Sequence, residues 1–190
     1  MTLPTFIYFA PEKDAYISQY YANDNFGKVP YLYTNRYQGC GDEYQSLIKF
    51  NFCSLNCNQV PPNSELDPNQ LFLHIYRNEI PCSTRLYAYR VIQYWDELAV
   101  TWNTKPLVDY TAPVGYVDIA SGYFGQVTMD LDPEVIQCWY NGYYQNNGLL
   151  LKCDEADNSL IGFYSREYYN PDLWPKLWVC YNQNCCVAPA

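Results

Sequence analysis

Gln126-Val127-Thr128-Met129-Asp130-Leu131 alternates polar and apolar residues at every step. A period of two puts Val127, Met129 and Leu131 on one face of an extended strand and Gln126, Thr128 and Asp130 on the other. The rule then changes within two residues. Asp132 is an N-cap, Pro133 suits the first helical position, Glu134 favours the first turn, and Asn141-Gly142 is a stop. This spacing predicts one short helix over 132–140, with Val135, Ile136 and Trp139 on a single face that lids one end of a sheet structure.

The same alternation recurs on both sides of this stretch. Residues 46–52 place Ile48, Phe50 and Phe52 opposite Lys49 and Asn51, and strand-like runs lie at 15–18, 31–34, 70–77, 85–92, 149–153, 160–165 and 176–181. Turn residues punctuate them, as in Asn23-Asp24-Asn25-Phe26-Gly27 and Gln38-Gly39-Cys40-Gly41. Residues 58–69, with Pro61, Pro62 and Pro68, read as a loop. Period two with frequent turns predicts an all-β fold, an antiparallel β-sandwich of jelly-roll type with one short helix, in which Ile48, Phe50, Val127, Met129 and Trp139 are buried.

The chain has 190 residues, 49% of them hydrophobic and 16% charged, which suits one domain with a core of its own. Acidic residues outnumber basic ones 20 to 11, for a net charge of −9. A phosphate backbone would be repelled, so nucleic acid is not an expected partner. No apolar run approaches the ~20 residues of a membrane-spanning helix, and the N-terminus lacks the basic start of a secretory signal.

Twenty-two tyrosines, nine cysteines and one histidine are the unusual counts. Tyrosine is a strand former whose amphipathic ring covers a half-wet sheet face. The one histidine, His74, excludes zinc sites built on two or three His and lies in a strand-like run, where it reads as structural. No Ser/His/Asp arrangement, phosphate-cradling loop or cofactor motif is present, so neither catalysis nor a cofactor is expected. Asp154-Glu155-Ala156-Asp157-Asn158 departs from a calcium-loop spacing and reads as a solvated turn, and no metal site is expected.

The cysteines are Cys40, Cys53, Cys57, Cys82, Cys138, Cys153, Cys180, Cys185 and Cys186. They contain no C-x-x-C pair, which weighs against metal and thiol redox chemistry and leaves disulfides in an oxidising location as the better reading. Cys53, Cys57, Cys138, Cys153 and Cys180 are the candidates for bridges within the chain, with Cys40 and Cys82 as loop partners for Cys53 or Cys57. An odd total leaves one thiol over. Residues 182–190 form a polar tail that, extended, reaches about 30 Å. Cys185 and Cys186 in that tail are therefore candidates for a crosslink to another subunit, with Cys40 or Cys82 as the partner thiol. At the other end, Thr5, Phe6, Ile7, Tyr8 and Phe9 form an uncharged, β-prone run. That run either pairs within its own sheet or is donated to a neighbour's. The organisation expected is thus 1–13 as first strand or donor arm, 14–181 as the domain, and 182–190 as the tail.

Several segments together resemble a known family. Lys13-Asp14-Ala15-Tyr16-Ile17 with Asn25-Phe26-Gly27 is similar to the opening of DNRLRE-domain proteins, and Leu47-Ile48-Lys49-Phe50-Asn51 resembles their "L-x-K-F-D" strand, with Asn51 in place of Asp. Tyr94-Trp95-Asp96-Glu97 and Val100-Thr101-Trp102-Asn103-Thr104-Lys105-Pro106 resemble the "W-x-E … V-T-W-N-x-x-P" segment, the most specific piece. Asp130, Val135, Ile136, Trp139 and Gly142 follow the family's helix pattern, and Asn146-Asn147-Gly148 and Ser165-Arg166-Glu167 follow in order. The resemblance implies a β-sandwich related to a carbohydrate-binding module group of bacterial surface and secreted proteins. In the residues themselves Trp95 and Trp102 read as core, and Asp14, Asn25, Arg166 and Glu167 as partners for backbone and loop groups.

Two functions fit these features. The lone domain, odd cysteine and tail pair point to a structural subunit that self-assembles into a disulfide-crosslinked fibre or coat, extracellular or on a spore surface, whose partners are copies of itself. The exposed aromatics and the resemblance point instead to a carbohydrate-binding module with a surface polysaccharide as partner.

Overall fold

Twelve antiparallel strands, one short α-helix and one 3-10 turn (Pro171–Leu173) make up the regular structure of the described residues, 5–52, 60, 64–154 and 159–182 of the computed structural model. The strands are β1 (Thr5–Phe9), β2 (Pro11–Ser18), β3 (Tyr31–Arg36), β4 (Glu43–Phe50), β5 (Glu65–Asn78) and β6 (Thr84–Val91). They continue with β7 (Val108–Asp109), β8 (Gly115–Ile119), β9 (Gly125–Leu131), β10 (Leu149–Cys153), β11 (Ile161–Tyr164) and β12 (Lys176–Asn182). Helix α1 spans Pro133–Tyr140, and the Asp132 side chain accepts a hydrogen bond from the Glu134 N–H as its N-cap. Ile136 and Trp139 on its inner face are buried.

The ladder runs β5-β11-β3-β4-β10-β6-β8-β9, and β9 pairs back to β5. Eight antiparallel strands therefore close into a barrel-like circuit, which removes most free sheet edges. Antiparallel β structure with one helix is what the alternation predicts; the closed circuit is not legible in it. Ile48, Phe50, Val127, Met129 and Trp139 all lie in the main core, as expected. Strand β1 extends the sheet by pairing with β12 of its own chain, Thr5 opposite Tyr181 and Phe9 opposite Leu177. Of the two arrangements open to residues 5–9, this is pairing within the chain.

Two elements depart from the sequence reading. The segment read as a loop becomes strand from Glu65, and Pro68 sits where the β5–β12 register shifts. Such an irregularity asks no ladder N–H of the proline. Gly115-Tyr116-Val117-Asp118-Ile119, only five residues long and following Ala112-Pro113, is strand β8. Pairing with β6 supplies what its own pattern lacks.

A second, smaller core lies against β2, β4, β6 and β10. Ala15, Ile17, Leu47, Val91 and Leu150 pack under Trp95 and Val100, with Trp102 and Val108 beside them. The segment 92–107 is thus a flap of chain folded over the barrel wall; Trp95 is core, as the sequence indicates, and Trp102 packs against that core partly buried.

Candidate functional site

The motif residues converge on the flap's attachment. Asn25 donates from Nδ2 to the carbonyls of Glu97 (2.9 Å) and Val100 (2.8 Å), and Asn103 Nδ2 donates to Asn23 Oδ1 at 2.9 Å. Gly27 is required here by space: a Cβ would stand 2.0 Å from the Glu97 carbonyl oxygen. The Glu97 carboxylate accepts from the Asp14 N–H (2.8 Å) and from Arg166 Nη2 at 2.9 and 3.0 Å. Asp14 Oδ2 accepts the Arg166 N–H at 2.8 Å. Lys13 donates from Nζ to the Trp95 carbonyl and lies over the Tyr94 and Trp95 rings. Burial pushes the Asp14 carboxyl up to about 7, against the opposing pull of the Arg166 N–H. Each of these groups satisfies another, and the cluster holds the flap, β2 and the turn after β11 in one register. These residues build the frame, as the sequence reading of Asp14, Asn25, Arg166 and Glu167 proposes.

The rings form a different kind of surface. Strand β3 offers Tyr31 and Tyr33, β5 offers Tyr76, and β11 with its following turn offers Tyr164, Tyr168 and Tyr169. Their centroids make a continuous path: Tyr169–Tyr168 4.5 Å, Tyr168–Tyr164 4.2 Å, Tyr164–Tyr76 5.2 Å and Tyr76–Tyr31 4.3 Å. Tyr76 donates its hydroxyl hydrogen to Tyr33 Oη at 2.5 Å, and Tyr33 meets Tyr16 edge-on at 5.0 Å. The path continues beneath the surface at Tyr16, which is buried in the main core, and comes back out through Phe26, stacked on it at 4.2 Å, to Tyr21 and Tyr20. Tyr169 and Tyr20, its two ends, are 84% and 69% exposed, so the ribbon opens to solvent at both.

Gly162 lets this surface lie flat. It is flanked by Tyr33 on β3 and Arg77 on β5, and a Cβ there would come within 2.8 Å of Tyr76 Cε1. The turn after β11 is tied down by Ser165 Oγ, which donates to the Val29 carbonyl, and by Trp174 Nε1, which donates to the Tyr168 carbonyl.

A pocket of ≈ 270 Å³ opens midway along the ribbon, lined by Tyr16, Tyr21, Tyr33, Tyr37, Tyr44, Arg77 and Leu160. Arg77 lies over the Tyr33 and Tyr37 rings, 5.9 and 5.4 Å from their centroids, and is paired with Glu79 at 2.8 Å. Burial pushes the Tyr44 hydroxyl up to about 12, and it raises Tyr16 and Tyr76 as well. All three hydroxyls therefore stay protonated and neutral at physiological pH. Polarisable faces edged by neutral donor-acceptors, around one guanidinium, suit a polyhydroxylated ligand whose C–H faces stack and whose hydroxyls bond at the rim.

The cysteines fall elsewhere. Cys40, Cys82, Cys138, Cys153 and Cys180 are free thiols. Cys153 is fully buried on β10 beside Thr34 Oγ1, and burial pushes its thiol up to about 12. Cys180 is buried on β12, opposite Phe6, while Cys40 and Cys82 are exposed. Cys53, Cys57, Cys185 and Cys186 lie outside the described residues, as do 155–158 of the acidic turn. A disulfide-crosslinked fibre therefore finds no support here. His74 is half-buried on β5, opposite Gln126, and burial lowers its pKa. No cluster of three metal-ligating side chains occurs among the described residues, and no helix among them is long and apolar enough to cross a membrane. Individual tyrosines carried no sequence signal beyond their number; only the pairing of β3, β5 and β11 collects them.

The site is thus an antiparallel β frame whose charged motif residues are bonded to one another, with a row of aromatic rings laid along it. Over residues 5–181 the chain matches the model of carbohydrate-binding module family 96, and it belongs to that family. The match bears out the relation to a carbohydrate-binding module group that the motifs imply, though not the DNRLRE name itself. None of the curated proteins matches the chain.

Proposed function

We propose that this chain is a surface or extracellular module that binds a polysaccharide along the tyrosine ribbon, with one sugar unit seated in the Tyr33–Tyr44–Arg77 pocket. The observation that carries the reading is the continuous ring path from Tyr169 to Tyr20, with that pocket at its middle. Family membership supports a binding role without catalysis. The net charge of −9 weighs against acidic polymers, and the pairing of Arg77 with Glu79 leaves the pocket close to neutral. The same reading takes the closed circuit as a flattened, jelly-roll-like barrel, a form in which a broad wall presents rings to an extended chain.

Native gels cast with single polysaccharides, uncharged and acidic, test this. Retardation by at least one uncharged polymer is expected, and it should be clearly weaker in Tyr31→Ala and in Tyr164→Ala. Undiminished retardation of both variants would show that the ribbon is not the site.

A further inference from the structure

A second row of tyrosines crosses the far wall of the barrel. Tyr116 on β8 stands directly opposite Tyr87 on β6, their rings 6.4 Å apart. Tyr87 is followed by Tyr89 at 5.9 Å, and Tyr89 by Tyr110 at 5.0 Å. Tyr116 and Tyr110, the two ends, are 53% and 52% exposed. Leu32 between Tyr31 and Tyr33, and Leu86 and Ala88 alternating with Tyr87 and Tyr89, are all buried in the main core, so the two rows lie on the outer faces of strands well separated in the circuit of eight.

The charges beside this second row cancel locally. Arg85 holds Asp118 through two hydrogen bonds, 2.6 and 2.9 Å, with its guanidinium 4.4 Å from the Tyr116 ring centroid. Lys152, opposite Tyr87 on the other side of β6, is paired with Glu43 at 2.9 Å. Ring faces at intervals of one ring's length, flanked by neutralised ion pairs, present stacking and hydrogen bonding without a net field. An uncharged polyhydroxylated chain meets those terms.

We propose that the Tyr116–Tyr87–Tyr89–Tyr110 row is a second binding surface for an uncharged polysaccharide, which makes the module bivalent and able to bridge two polymer chains. This rests on the reading of the ribbon as a glycan site. Avidity and crosslinking follow from two sites that lie apart and cannot engage one short oligosaccharide together.

The test begins with mixed-linkage β-glucan, galactomannan and xyloglucan in affinity gels, followed by calorimetric titration with the hexasaccharide of the polymer that retains the protein most. Two hexasaccharides per chain are expected, and a rise in viscosity when protein is added to the long polymer. The Tyr110→Ala, Tyr116→Ala double variant removes exposed rings only. It should keep its fold by circular dichroism, bind one hexasaccharide, lose the viscosity rise, and still be retarded through the ribbon. Tyr164→Ala should lose the other equivalent. One hexasaccharide per wild-type chain, unchanged by the double variant and abolished by Tyr164→Ala, would overturn the second surface and leave the ribbon standing. A wild-type dimer in sedimentation that the double variant dissolves would also overturn it, by making the row a contact between copies. Failure of every polymer to retain the wild type would overturn both sites.

Discussion

The cluster around Glu97 and the tyrosine ribbon lie side by side, joined by the turn after β11, yet they treat their polar groups in opposite ways. In the cluster, Asp14, Asn25, Glu97 and Arg166 are each bonded to another part of the same chain. In the ribbon, the ring path is held mainly by packing, with one hydroxyl bond from Tyr76 to Tyr33, and runs out to solvent at Tyr169 and Tyr20. The more specific sequence motif therefore marks the frame, while the abundant and unpatterned residue marks the surface proposed for a ligand. Damage to the first should appear in stability, and damage to the second in binding.

Glu97→Ala should have the largest effect. It removes the acceptor shared by Arg166 and the Asp14 N–H from a largely buried setting, at a cost of about 3 kcal/mol. Chemical denaturation measures this, and the fraction that remains folded should bind polysaccharide with unchanged affinity.

Asp14→Asn sharpens the same contrast through pH. The folded-state value of about 7 lies above the ordinary 3.8, so the folded chain holds a proton that the unfolded chain releases. The carboxyl's contribution therefore falls as pH rises from about 4 to about 7, and above that the penalty is complete. Asn keeps an acceptor for the Arg166 N–H and carries no charge to bury. The variant should match the wild type at pH 4 and be more stable at pH 8. A stability difference that does not change between those pH values would show that Asp14 is ionised throughout.

Gly162→Val reverses the emphasis. The new side chain meets Tyr76, and overpacking of this kind costs roughly 1–3 kcal/mol. Its main result should be weaker polysaccharide retardation, because Tyr76 joins Tyr164 and Tyr31 to Tyr33. Tyr164→Ala should cost only about 1 kcal/mol in stability, the order of an aromatic pair, while reducing retention as strongly. The smallest effect is chemical: in the reduced native protein, Cys40 and Cys82 should alkylate readily while Cys153 resists until the chain unfolds.

Local pattern carried a good part of this molecule. Alternation at 126–131 specified strand β9 and its buried face, and the Asp132-Pro133 cap with Asn141-Gly142 specified α1, because a period and a cap are decided by neighbours along the chain. Trp95 as core, with Trp102 packed against it, and Asp14, Asn25 and Arg166 as partners for loop groups, were legible from motif order. What the sequence could not decide depends on residues far apart in it. Closure of the circuit through β5 and β9 needs a ladder between residues some sixty positions apart. Strand β8 exists because β6 pairs with it, and β5 continues through Pro68 because its register shifts there. The ribbon needs Tyr31, Tyr76 and Tyr164 brought to one wall, and the opposite row needs Tyr87 and Tyr116 in register. A tyrosine count of 22 foretells wet aromatic faces, but only the pairing of strands decides that there are two and that they lie apart.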